Sequence, residues 1–206
     1  AACTAAVISG KATPDGRPLL WKHRDSDHLQ NAIRVFLDGR YASIGLVNAE
    51  DTLGEALWAG YNSAGFAIIN TASYNLLAED DTVKLRDREG VLMRQALQVC
   101  ATVEDFGRFL ENAAKPLGVE ANFGVIDARG GAAWFETGQF TFRQLDVNDP
   151  SVAPGGYLVY ETYTIDHLRL VEQGLAALAP GAEREPEALE IAEQQRVLEQ
   201  VRELQH

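Results

Sequence analysis

The sequence predicts an α+β fold in which antiparallel strands and helices are stacked in layers. Short runs rich in apolar and β-branched residues fill residues 3–71 and return after residue 122. Two amphipathic stretches lie between them, at residues 91–100 and from residue 102 onward. Strands followed by helices and then again by strands are typical of a layered α+β sandwich.

Strands dominate the first third of the chain. They are predicted at residues 3–9, 17–25, 32–37, 41–47, 56–61 and 65–71. Turn residues such as Pro14-Asp15-Gly16 and Asn62-Ser63-Ala64-Gly65 separate them, so this region is expected to form an antiparallel meander. The acidic stretch at residues 79–89 is expected to be an exposed loop.

Helices and further strands follow this loop. Helical spacing in residues 91–100 makes Cys100 a small buried hydrophobic residue. Thr102 can cap the next helix, with Asp105 reaching back to the cap. Strands resume at residues 122–127, 132–136, 140–145 and 157–160.

The last quarter of the chain reads as two helices. An apolar stripe at helical spacing ends at Pro180-Gly181, and residues 187–204 form a second, heavily charged stretch. These helices are expected to pack on the core or on a partner subunit, and the second arrangement would give a homo-oligomer. We therefore divide the chain into a core at residues 1–163 and a C-terminal helical segment at residues 164–206.

Composition excludes several classes of protein. The chain has 206 residues and a net charge of −12, which disfavours nucleic acid as a partner because phosphate binding depends on Lys and Arg. No apolar run reaches the length of about 18 residues that a transmembrane helix needs. The histidines show no metal-ligand spacing with each other or with Cys3, so neither a metal nor another cofactor is expected.

Cys3 is the candidate nucleophile, because it begins the first strand and the second strand ends in basic groups and a carboxylate. A thiol has a pKa of about 8.5 and an α-amine one of about 7.7 to 8.0, so a terminal cysteine can supply both nucleophile and base. Ala1 and Ala2 precede Cys3 here, and its nitrogen is therefore an amide. The chain as written is expected to be a precursor, a blocked form or an inactive form.

The Ala1-Ala2-Cys3 start also bears on the compartment. It is similar to what cleavage of a signal peptide leaves behind, and to the lipidated cysteine of bacterial lipoproteins. Export is therefore slightly favoured over a cytoplasmic location, and a lipid-anchored surface protein is a further interpretation.

The stretch from Cys3 to Asp25 resembles the start of the N-terminal-nucleophile (Ntn) hydrolases of the isopenicillin-N acyltransferase type, whose cousins include the choloylglycine hydrolases. Residues 41–48, 58–75 and 118–127 extend the resemblance, which covers about residues 3–160 in order. It implies a four-layer αββα sandwich of antiparallel sheets. It also implies autoproteolytic processing and attack by Cys3 on a small linear amide or a thioester, with the acyl group passing to water or to an amine.

The resemblance also implies roles for individual residues. Asp25 falls at the family's carboxylate position beside the α-amine. Lys22 fills a slot that holds arginine in the choloylglycine branch, and Arg24 lies next to the carboxylate. Either positive charge can lower the pKa of the Cys3 thiol. The alternative for Asp25 is a structural ion pair with Lys22 or Arg24.

Two further residues are candidates for stabilising an oxyanion. Asn70 ends an apolar strand, where its amide can donate to developing negative charge; the alternative is a turn residue at an edge strand. Tyr163 stands where the family usually has asparagine, and its longer side chain can also donate. The aromatic residues Trp58, Tyr61, Phe66 and Tyr74 either form an apolar substrate pocket or belong to the core.

Two function classes follow. The first is a cysteine Ntn hydrolase or acyltransferase acting on a small amide or acyl substrate. The second is a catalytically silent or engineered shortened relative that serves as a binding or assembly module, which the blocked Cys3, Tyr163 and the C-terminal helices favour.

Overall fold

A computed structural model describes residues 3–73 and 87–161, which form two antiparallel sheets and two helices. The strands are β1 (Thr4–Ile8), β2 (Leu19–His23), β3 (Asn31–Phe36), β4 (Ser43–Asn48), β5 (Ala59–Asn62), β6 (Ala67–Ala72), β7 (Ala121–Ile126), β8 (Ala132–Thr137), β9 (Phe142–Asp146) and β10 (Tyr157–Tyr160). The helices are α1 (Glu89–Val99) and α2 (Val103–Asn112). The predicted α+β class is confirmed.

The strands divide unequally between the two sheets. One sheet has seven strands in the order β3-β4-β5-β6-β7-β8-β9, and the other has three in the order β10-β1-β2. The meander predicted for the first third is therefore wrong in one respect, because the chain changes sheet between β2 and β3. The second neighbour of β1 is β10, near the end of the described chain, and local spacing carries no sign of this pairing.

The main core lies between the helices and one face of the seven-stranded sheet. Phe106 of α2 is fully buried there, with ring centroids 4.9 Å from Phe135, 5.9 Å from Phe123 and 6.0 Å from Phe66. Helix α1 adds the apolar face that sequence spacing predicts, and Cys100 is buried at its C-terminal end. These contacts pack both helices on one face of the seven-stranded sheet.

The capping signal of α2 is confirmed. Thr102 Oγ1 accepts a hydrogen bond from Asp105 N, and Asp105 Oδ2 accepts one from Thr102 N, both at 3.1 Å. The backbone N–H of Ala101 also donates to Asp105 and, as the largest cause, lowers the pKa of that carboxyl. The reciprocal bonds satisfy amides that the first turn of a helix leaves without partners.

The three-stranded sheet packs on the other face of the large sheet. A Cβ on Gly124 would lie 2.8 Å from Val7 Cγ2, so only glycine permits this close approach of β7 to β1. Trp134 of β8 stacks on Tyr160 of β10 at 4.5 Å, and the Tyr160 hydroxyl donates to Glu136 Oε1 at 2.7 Å. The two sheets form two layers of a sandwich, and Cys3 immediately precedes β1.

Several predictions fall outside the described residues. These are Tyr163, most of the acidic loop and the C-terminal helices, so the division of the chain at residues 163 and 164 stays a prediction. Within the two described ranges, neither helix is long and apolar enough to cross a membrane.

Candidate active site

Strand register decides which basic side chains share a face with Cys3. Ala5 is paired with Lys22, and Thr4 is paired with His23. Since side chains two apart on a strand share a face, Cys3 and Ala5 lie on the same face as Lys22, and His23 points the opposite way and is exposed. Lys22 and Arg24 are two residues apart, so both side chains point to the side of the segment on which Cys3 lies.

Cys3 itself is partly buried where β1 begins. Its Sγ donates to the backbone carbonyl of Asp25, with a sulfur-to-oxygen distance of 3.7 Å. The segment that follows β2 therefore lies directly beside the thiol. The role of the Asp25 carboxylate stays a prediction.

Lys22 reaches from β2 across the space between the sheets. Its Nζ donates to Asn70 Oδ1 at 2.7 Å and to the Trp58 carbonyl at 2.9 Å. Burial lowers the pKa of Lys22 from 10.5 to about 8, the charge of Cys3 opposes this shift, and Arg24 adds to it. Lys22 is thus a cation close enough to Cys3 for their charges to interact, and it can lose its proton in mildly alkaline solution.

Arg24 joins the end of β2 to the large sheet. Its guanidinium donates to Asn48 Oδ1 and to Asn31 Oδ1, each at 2.8 Å, and lies over the Trp58 ring at 5.2 Å. Burial lowers the pKa of Arg24, while the charge of Cys3 acts to raise it. Because arginine remains charged in proteins, Arg24 supplies a fixed positive charge near the thiol.

Asn70 lies in β6, which has β5 on one side and β7 on the other. Its interpretation as a turn residue at an edge strand is therefore wrong. The side chain is only 6% exposed, and its Oδ1 accepts from Lys22. Among the described residues, none accepts a hydrogen bond from Asn70 Nδ2. The amide thus has one end fixed and one donor end open.

The four aromatic residues do not form one pocket. Phe66 is fully buried in the core beneath the helices, and Tyr61 is 59% exposed on the surface. Trp58 alone lies at the site, where its carbonyl binds Lys22 and its ring binds Arg24. Tyr74 lies outside the described residues. No sequence pattern predicts that the backbone carbonyl of Trp58 binds Lys22.

The described parts of the chain contain no cluster of metal-ligating side chains. There, no three side chains of the His, Cys, Asp and Glu types come close enough together to hold an ion. The groups described at the site are a thiol, two basic side chains and an amide.

Comparison with solved structures identifies the fold. An N-acylethanolamine-hydrolyzing acid amidase ortholog from Caenorhabditis elegans matches 92% of this chain and 85% of its own, with a TM-score of 0.57 and 15% identity. A variant of the conjugated bile acid hydrolase from Clostridium perfringens matches 89% of this chain, with a TM-score of 0.54 and 16% identity. The chain has the Ntn-hydrolase fold.

The matched structures are distant from this chain in length or in sequence. The chain spans 60% of the length of the bile acid hydrolase. No family model and no curated protein matches the sequence. At 15 to 16% identity, these structures share the Ntn fold with the chain.

The lowered pKa of Lys22 makes stability depend on pH. Between pH 8 and 10.5 the folded protein binds fewer protons at Lys22 than the unfolded chain does, so the free energy of unfolding rises with pH. The cost of burying the ammonium, about 3 kcal/mol, is present below pH 8 and is lost above pH 10.5.

We expect this effect in urea unfolding of Cys3→Ala, which removes the thiol titration, compared with Cys3→Ala/Lys22→Met. From pH 7 to pH 10, the protein that retains Lys22 should gain about 2 kcal/mol relative to its partner. Parallel pH profiles for the two proteins would show that Lys22 is not protonated differently in the folded state.

Proposed function

We propose that this protein is a cysteine Ntn hydrolase that cleaves a small linear amide through an acyl-enzyme on Cys3. One observation carries the proposal: in an Ntn fold, Cys3 immediately precedes β1, on the face shared with Lys22 and beside the end of β2. The charges of Lys22 and Arg24 both act on it. A partly buried thiol with two cations nearby is the environment in which cysteine becomes a nucleophile.

The reaction proceeds in two halves. The Cys3 sulfur attacks the amide carbonyl carbon, and the C=O electron pair moves onto oxygen. The C–N bond then breaks, the nitrogen takes up the proton that the thiol gave to the base, and the amine leaves a thioester on Cys3. Water attacks the thioester, the C–S bond breaks, and a carboxylic acid and the free thiol are formed. An amine in place of water would give acyl transfer.

The neighbouring residues have distinct parts in this scheme. The α-amine of Cys3, once Ala1 and Ala2 are removed, accepts the thiol proton, and the Asp25 carboxylate holds that amine. Lys22 and Arg24 supply positive charge close to the Cys3 sulfur. Tyr163 is proposed as a donor to the oxyanion.

The test compares two forms of the protein, one beginning at Ala1 and one beginning at Cys3. Each is assayed on a panel of N-acyl p-nitroanilides with acyl chains of increasing length. We expect turnover by the form that begins at Cys3, and at least a hundredfold less by the other, because an amide nitrogen cannot accept the proton. No turnover by a folded protein that begins at Cys3 would contradict the proposal and favour a silent binding module.

A further inference from the structure

We propose that Lys22 is a positioning residue that fixes the side-chain amide of Asn70 so that Nδ2 donates to the oxyanion. The inference rests on the proposed function and deepens it, since it assigns how the same site stabilises the tetrahedral intermediate. It stands on three observations: a short hydrogen bond, a second anchor for the lysine, and the open donor end of Asn70.

The hydrogen bond determines the orientation of the amide. A protonated lysine has only donors, so the atom of Asn70 that lies 2.7 Å from the Lys22 ammonium is the oxygen. Rotating the amide by half a turn would bring two donors together. Asn70 is also 6% exposed, so water competes little for its oxygen. The amide is therefore held in one of its two orientations.

The second anchor keeps the lysine itself in place. Nζ donates to the carbonyl of Trp58 at 2.9 Å, in the strand region next to β6. A neutral amine has two N–H bonds, which match the two acceptors, and an ammonium has a third. Lys22 therefore has enough N–H donors for both acceptors in either protonation state, and the ammonium, which has no lone pair, is the form that excludes the flipped amide.

The open donor end points to an oxyanion. No described residue accepts from Asn70 Nδ2, although the side chain is buried. This N–H is free to donate to a substrate or to water. The Lys22 cation on Oδ1 polarises the amide and strengthens the N–H donor at its other end. Oxygen that gains negative charge beside Cys3 is the partner this arrangement fits.

The experiment is a double-mutant cycle in the form that begins at Cys3, with Lys22→Met and Asn70→Ala made singly and together. The assay uses the p-nitroanilide that the unmodified protein cleaves fastest. Each kcat is divided by the rate at which iodoacetamide alkylates Cys3, because removing the Lys22 charge also weakens the thiolate. Lys22→Arg, which keeps a donor, serves as the conservative variant.

We expect Asn70→Ala to lower the corrected kcat by about 10² to 10³-fold, the range for loss of one oxyanion donor. Lys22→Met should lower it by about tenfold or more with KM within about threefold, and Lys22→Arg should restore most of the loss. In the Asn70→Ala background, Lys22→Met should cost less than about threefold. Losses that simply multiply would overturn the proposal, because Lys22 would then act without Asn70.

A second measurement does not depend on turnover. In ¹⁵N-labelled protein, Asn70→Ala identifies the side-chain NH₂ resonances of Asn70. We expect Lys22→Met to move these resonances and to speed their exchange with water, and Lys22→Arg to leave them close to the original positions. Unmoved resonances would overturn the positioning role. If no p-nitroanilide is cleaved, the proposed function fails while this result still decides the orientation of Asn70.

Discussion

Replacing Cys3 by alanine is expected to lower amide cleavage more than a thousandfold without unfolding the protein. In the proposed mechanism the variant removes the sulfur that forms the acyl bond, and losses of this size follow removal of a nucleophile. The sole hydrogen bond described for the thiol is a long one of 3.7 Å to the Asp25 carbonyl, so little folding energy is lost with it. Initial rates on the p-nitroanilide panel, with circular dichroism, measure both quantities.

Cys100→Ala is the matched control. Cys100 is 1% exposed, and burial raises the pKa of its thiol to about 12. It ends α1 beneath the seven-stranded sheet and has no place in the proposed chemistry. This variant should retain turnover. Equal activity of Cys3→Ala and the unmodified protein would exclude Cys3 as the nucleophile.

Phe106→Ala is expected to lower the free energy of unfolding by about 3 to 5 kcal/mol. Phe106 is fully buried, and its ring lies within 6.1 Å of those of Phe66, Phe109, Phe123 and Phe135. Truncation leaves a cavity at the centre of the layer between α2 and the sheet. Since whole domains are stable by about 5 to 15 kcal/mol, this is a large share of the total.

Urea unfolding measures the effect, with Phe140→Ala as the control. Phe140 is 51% exposed, and its truncation should change the free energy of unfolding by about 0.5 kcal/mol or less. If Phe106→Ala does not fold, Phe106→Leu should still fold and cost less than the alanine variant, since it leaves a smaller void. Similar losses at positions 106 and 140 would mean that the core is not organised around Phe106.

Local patterns in the sequence predicted most of the elements. The predicted strand at residues 3–9 is observed as Thr4–Ile8, and the strand at residues 17–25 as Leu19–His23. The capping box at Thr102 placed the start of α2 correctly. These signals are carried by neighbouring residues, so a single sequence contains them.

Pairings between distant segments could not be predicted in the same way. The three-stranded sheet contains β1, β2 and the distant strand β10, and the chain passes to the other sheet after β2. The alternation of side chains within a strand does not show which strand pairs with it. The contact of Lys22 with Asn70 arises for the same reason, because it joins strands of different sheets. The sequence thus identified both residues as candidates without predicting that they touch.

The different contacts of Lys22 and Arg24 could not be predicted from residue type. Each was expected to supply a charge near Cys3, and the structure gives them different surroundings. Arg24 is bound by Asn31 and Asn48 and lies over Trp58, whereas Lys22 holds Asn70. Charge alone did not distinguish a residue that is bound by asparagines of β3 and β4 from one that contacts Asn70 of β6.

The most direct test of the central claim is the mass of the protein during turnover. The form that begins at Cys3 is mixed with its best p-nitroanilide, quenched in acid within the first turnovers, and digested for peptide mapping. We predict an added acyl mass on the peptide that contains Cys3, and none on the peptide that contains Cys100 or on the Cys3→Ala protein. Turnover with no acyl group on Cys3, or with one on another residue, would contradict the account.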